Sequence, residues 1–139
     1  MRVEFYAIEK PRFKDKPLEL ICVLAQKAFE SGTPALILVD SQSHAEALDQ
    51  LLWSFSDEAF VPHQVAGDDD DGDTPILIVP PEIDSPARPL AINLRAEAIE
   101  LAADRIIELI GDDELDKQKA RDRWKAYKAR GIEPKKVVV

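Results

Sequence analysis

Residues Ala35 to Asp40 read ALILVD, with no polar side chain before the last position. A run this short and this uniformly apolar suits a strand covered on both faces, as strands are in a parallel sheet. Its surroundings agree. Val3 to Ile8 is apolar and aromatic enough for a first strand, which Pro11 helps to end. From Pro17, placed for a helix's first turn, Leu18, Ile21, Cys22, Ala25, Ala28 and Phe29 recur at helical spacing, and Gly32 suits the residue just past the helix end. After the apolar run, Ser43 and Glu46 form a capping-box pattern for a helix carrying Leu48, Leu51, Leu52 and Phe55. Parallel strands need crossovers, so strand–helix–strand–helix predicts an α/β sandwich with helices on both faces of a mostly parallel sheet.

The rest of the chain fits one domain spanning residues 1–139. Ile76 to Val79 and Leu90 to Ile92 read as further short strands, while FVPHQVAG is less regular. Arg105 to Ile110, RIIELI, follows AEAIELAA and so permits a longer helix. Its isoleucines and the interruption at Gly111 favour a strand. A last helix then runs from about 113 to 130, with Asp113, Glu114 and Asp116 in its first turn, Lys125, Lys128 and Arg130 toward its end, and Gly131 terminating it.

Charge is distributed unevenly. The formal net charge is -9, yet nine of the 18 Lys and Arg lie between Lys117 and Lys136, against Asp122 and Glu133 alone. None occurs from Ala28 to Ala87. Complementing the helix dipole accounts for part of this, and a solvated charged face is the bland explanation. At helical spacing, however, Lys117, Arg121, Trp124, Lys125 and Lys128 share one stripe, with Ala120 and Tyr127 beside it to anchor the helix. Basic groups around an aromatic can pair with carboxylates while covering an apolar side chain, or can stack single-stranded bases. An acidic chain repels the phosphate backbone, which ranks a protein partner ahead of nucleic acid.

Few residues invite chemistry. Cys22 falls inside an apolar helical pattern and reads as a buried thiol. His44 reads as exposed at a helix start, and His63 as positioning a loop. Asp40 ends a strand as a ribose-binding carboxylate would, but no glycine-rich fingerprint or phosphate loop precedes it. The acidic run Asp68 to Asp73, DDDDGD, lacks the alternation and closing Glu of a calcium loop and reads as solvated. These features point to no catalytic residue, cofactor or metal; an enzyme with an unrecognised site using Asp40 or His63 is the weaker alternative. The N-terminal residues do not read as a signal peptide, and no apolar run approaches the roughly 18 residues of a membrane span.

Leu48 to His63, LDQLLWSFSDEAFVPH, brings Trp53 to a helix end and then leads to Phe60, Val61 and Pro62. These aromatics either close the core or form an apolar interface. Together with an early FYAI strand, Gly67 and the ending KARDRWKAYKARG, this segment resembles the chi subunit of bacterial DNA polymerase III, a clamp-loader accessory protein. The match follows the family's order over almost the whole chain.

The resemblance implies a Rossmann-like three-layer sandwich without a nucleotide site, no intrinsic enzyme activity, and a cytoplasmic component of the DNA-directed DNA polymerase holoenzyme acting in DNA replication. It implies that the C-terminal helix binds the acidic tail of single-stranded DNA-binding protein, whose last residue is Phe, through Arg121, Trp124, Lys125 and Lys128. Relatives more often carry Tyr where Trp124 stands and can carry Arg where Lys128 stands; Lys keeps the charge but loses the guanidinium's fork. A second partner, the psi subunit, and through it the clamp loader, is implied at Trp53, Phe60, Val61 and Pro62. The acidic loop departs from the family pattern beside this segment. Little direct DNA binding is expected. The alternative is a direct single-stranded nucleic-acid module stacking bases on Trp124 and Tyr127.

Overall fold

The computed structural model describes residues 1–139 apart from Asp57 and Ala59, on which part of the segment after Trp53 falls. Its elements are β1 (Arg2–Ala7), α1 (Pro11–Asp15), α2 (Pro17–Glu30), β2 (Ala35–Leu38), α3 (Gln42–Ser54), β3 (His63–Val65), β4 (Ile76–Val79), β5 (Leu90–Asn93), β6 (Arg105–Ile110), α4 (Glu114–Ala129) and β7 (Lys135–Val138). The seven strands form one sheet in the order β3-β4-β2-β5-β6-β1-β7. Every neighbouring pair is parallel.

The period of two along each strand divides the core. Ile37, Ile76, Ile78, Ile92 and Ile107 face one side, where they pack with Ile21, Cys22 and Ala25 of α2 and Leu48 and Leu52 of α3. Leu36, Leu38, Leu77, Val79, Ala91 and Ile106 face the other, with Val3, Phe5, Ile99, and Ala120 and Tyr127 of α4. Both faces of β2 and β4 are thus buried, which is why their sequences show no polar alternation. Each such Leu or Ile stabilises the fold by about 1.5–3 kcal/mol through burial. This is the three-layer α/β sandwich expected from the sequence.

Local signals mostly hold. Pro17 opens α2, and Gly32 follows it with φ 71°. Gly131 follows α4 with φ 83°, a left-handed conformation that suits glycine. Arg105–Ile110 is a strand, not a helical extension. The capping box is corrected: the N-cap of α3 is Ser41, whose Oγ accepts from the His44 backbone N–H at 3.1 Å, and Ser43 lies inside the first turn. Pro11 does more than end β1, because it opens the short α1. Two strands have no clear sequence signal. β3 has three residues, and β7 starts with two exposed lysines at the sheet edge. Among the described residues, no helix is long and apolar enough to cross a membrane.

Candidate functional site

α4 is held to the sheet by a buried polar cluster. Its start is fixed by Asp113, whose Oδ1 accepts from the Asp116 N–H at 2.7 Å. Its inner face buries Ala120, Arg123 and Tyr127. Arg123 Nε donates to Glu108 Oε1 at 2.9 Å, and Asn93 Nδ2 and the Tyr127 hydroxyl donate to Glu108 Oε2 at 2.9 and 2.5 Å. The Tyr127 hydroxyl in turn accepts from the Ile99 N–H at 3.0 Å. Burial pushes the Glu108 carboxyl above its ordinary pKa, against the opposing pull of Asn93, Tyr127 and Arg123. Burial and the Glu108 charge push the Tyr127 phenol up as well. Arg123 belongs to the basic stretch in sequence, but its charge is paired with Glu108 inside the protein. Tyr127 is 0% exposed and anchors the helix, so it offers no stacking platform.

This anchoring turns the adjacent stripe of α4, which shares Ala120 with the inner face, toward a groove of about 480 Å³. Phe5 of β1 and Ile110 of β6 contribute apolar surface, α4 supplies Lys117, Ala120, Arg121, Trp124 and Lys125, and Lys136 of β7 also lines it. Trp124 is half-buried against Phe5, with ring centroids 5.1 Å apart and planes tilted by 50°. Arg121 Nη1 donates to Gln118 Oε1 at 3.0 Å. Among the described residues, Arg121, Lys125 and Lys136 have no carboxylate partner, so their charges are available to a ligand. The structure therefore brings Arg121, Trp124 and Lys125 together. It does not bring Lys128 into the groove: Lys128 is exposed and its Nζ lies 3.8 Å from Glu133. Sequence spacing missed Phe5, Ile110 and Lys136, which come from separate strands. Lys136 is aligned with Phe5 in the β1–β7 register, a pairing invisible without the sheet.

The second segment lies by the opposite sheet edge. Trp53 and Phe60 are 54% and 63% exposed, with ring centroids 5.7 Å apart. Trp53 also lies 4.7 Å from the His63 ring. His63 is buried; its Nδ1 faces the Val61 carbonyl at 2.6 Å and its Nε2 faces the Asp49 carbonyl at 3.1 Å, which fixes the loop to α3. Pro62 is half-buried, whereas Val61 is only 1% exposed and belongs to the core. Trp53 and Phe60 form an exposed aromatic pair; Val61 can shape this surface from below but cannot meet a partner.

The remaining candidates have structural roles. His44 is half-buried, not fully exposed, and its Nδ1 lies 3.0 Å from Asp40. Cys22 is buried, and desolvation pushes its thiol up to about 12. In the acidic run, burial disfavours Asp71's charge. Hydrogen bonds from Gly67, Gln64 and Asp68 outweigh it and hold the carboxyl below its usual range. Asp71 thus ties up part of a loop expected to be wholly solvated. At the carboxyl ends of β2 and β4, near where doubly wound folds seat ligands, Arg95 bridges the carbonyls of Val39 and Val79 at 2.9 and 3.0 Å. Among the described residues, no group of three His, Cys, Asp or Glu is placed to hold a metal.

Comparison with known proteins gives a consistent result. The family model described as DNA polymerase III chi subunit, HolC, matches residues 1–135. The DNA polymerase III subunit chi of Escherichia coli K12 is 33% identical over 117 residues, covering 82% of this chain and 80% of the relative. The DNA polymerase III subunit chi of Pseudomonas aeruginosa is 33% identical over 132 residues, covering 94% and 91%. A solved structure of Saccharomyces cerevisiae Dbp5 superposes with a TM-score of 0.64 at 14% identity over 98% of this chain. This chain spans only 41% of that structure's length, and the likeness concerns the fold alone. With the family's motifs present in order and the match extending across nearly every element, the chain belongs to the DNA polymerase III chi subunit family.

Proposed function

We propose that this chain is a non-catalytic accessory subunit of the bacterial DNA polymerase III holoenzyme, and that it tethers the clamp-loader assembly to the acidic C-terminal tail of single-stranded DNA-binding protein. The observation that carries the tail assignment is an apolar groove beside Trp124 around which Arg121, Lys125 and Lys136 have no carboxylate partner among the described residues. A terminal Phe fits the apolar recess against Phe5 and Trp124. Its α-carboxylate and the preceding acidic side chains meet the basic groups, where charge-assisted hydrogen bonds favour an anionic peptide over a neutral one. Several tails on an oligomeric partner raise the effective concentration and favour rebinding. The net charge of -9 works against competing contact with bare DNA. Burial of Tyr127 weakens the alternative of direct base stacking, since Trp124 alone remains of the two aromatics.

The exposed Trp53–Phe60 pair, shaped by Pro62 and by buried Val61, is the surface for a second protein, the psi subunit, and through it the clamp loader. A polar surface interrupted by two exposed aromatics beside a proline favours a protein partner, because such rings gain energy by desolvation.

Calorimetric titration with the last ten residues of the cognate single-stranded DNA-binding protein tests the tail assignment. Binding with a Kd on the micromolar scale, lost when the terminal Phe is deleted, is the expected result. Equal binding of the two peptides, or of neither at low and moderate salt, overturns it. A titration with a bare oligonucleotide distinguishes the nucleic-acid reading.

A further inference from the structure

The outer edge of β7 is unpaired among the described residues, since β7 terminates the sheet order. Its hydrogen-bonding directions follow from its pairing with β1. Val139 N–H donates to the Ala7 carbonyl at 3.0 Å, and the Val139 carbonyl accepts from Glu9 N–H at 2.7 Å. In a parallel ladder, alternate residues direct both backbone groups to the same neighbour. Val137 therefore also faces β1, while Lys136 and Val138 direct their N–H and C=O groups outward. The Lys136 side chain lines the Trp124 groove, so this residue belongs to the groove and to the open edge.

The other face of this edge is basic too. Val137 and Val139 pack with the cluster under α2. Val139 also lines a broad hollow of about 1240 Å³, where Arg12 and Arg105 are paired with Glu19 and Glu4. Arg2, Lys10 and Lys27 there have no carboxylate partner among the described residues and still outnumber Glu9 and Asp104. An added strand would send alternate side chains toward these two basic faces. Lysines on an edge strand discourage self-pairing, because two copies of this edge repel. The same charges attract an acidic strand.

We propose that the acidic segment preceding the terminal Phe binds by β-strand addition to the outer edge of β7, pairing its backbone with Lys136 and Val138. This deepens the tail reading and rests on it. The terminal Phe supplies the anchor in the groove, and main-chain hydrogen bonds then set the register of the acidic residues, a division seen generally when peptides extend a sheet. It assigns a role to peptide length and backbone that charge and the Phe anchor alone do not require.

The test is a set of ten-residue tail peptides, each N-methylated at one backbone position, titrated against the full chain. The protein is unchanged throughout, so folding defects do not enter. Strand addition predicts a weakening of about tenfold at alternate acidic positions, with little change between them. It also predicts that bound peptide slows amide exchange at Lys136 and Val138 but not at Val137, which is already paired. Phe-dependent binding without an alternating N-methyl pattern overturns strand addition while leaving the groove assignment intact. Failure of the unmodified peptide to bind overturns both. A second copy on this edge is the rival occupant: concentration-dependent dimers in sedimentation, dispersed by Val138→Pro, overturn the proposal.

Discussion

Trp124, Lys125 and Lys128 look equivalent along the helix sequence, but their surroundings differ. Trp124 rests on Phe5, Lys125 borders the same groove, and Lys128 stands outside it near Glu133. Lys136 lies within the groove although it is remote in sequence from Arg121. The expected order follows from these positions. Arg121→Ala, Lys125→Ala and Lys136→Ala should each weaken the tail peptide by about fivefold, about 1 kcal/mol for an exposed charge meeting an anion. Lys128→Ala should change affinity by less than about twofold, since its charge is exposed and outside the groove. Parallel calorimetric titrations of the four variants check this; an effect of Lys128→Ala equal to that of Lys125→Ala would move the site along the helix.

For α4 as an element, orientation is the functional quantity. Hydrophobic anchoring by Ala120 and Tyr127 leaves rotation of a charged helix weakly specified, whereas the Glu108–Arg123–Tyr127–Asn93 cluster specifies it by direction. Asn93, Arg123 and the Tyr127 hydroxyl all present donors to Glu108, so only a carboxylate accepts all of them. Glu108→Gln puts an amide among those donors and leaves the Arg123 charge buried without its partner. The expected cost is about 3–5 kcal/mol, the usual penalty for breaking a buried pair. Urea unfolding followed by circular dichroism measures it. A change below about 1 kcal/mol would mean that the cluster does not hold the helix, since a merely exposed pair costs that little.

Across the whole molecule, the strand order separates two surfaces. The Trp124 groove is built on β1, β6 and β7, whereas Trp53 and Phe60 lie near β3 at the other edge. Six inter-strand steps of about 4.8 Å put roughly 29 Å between the two edge strands. One chain can therefore hold two partners at once, as a tether must. Trp53→Ala combined with Phe60→Ala should leave the thermal midpoint within a few degrees and the tail affinity unchanged, because both side chains are mostly exposed. It should abolish capture of the psi subunit in a pull-down. Loss of tail affinity in this variant would show that the two surfaces are coupled.

The layers were legible from the residue pattern alone. Short apolar runs such as ALILVD have one good solution, burial between helices, and the caps near Pro17, Gly32 and Gly131 are local conformational preferences readable residue by residue. The basic aromatic stripe was legible because it lies on one helix with a fixed period. What depends on distant pairing was not. β7 opens on two lysines before a short run of valines because it is an edge, and its register with β1 is what brings Lys136 beside Phe5. Arg123 and Lys125 are nearly adjacent in the same basic stretch, yet one is buried against Glu108 of β6 and the other faces a groove. Only the tertiary structure could decide between them, because the desolvation of a charge depends on what lies across from it in space.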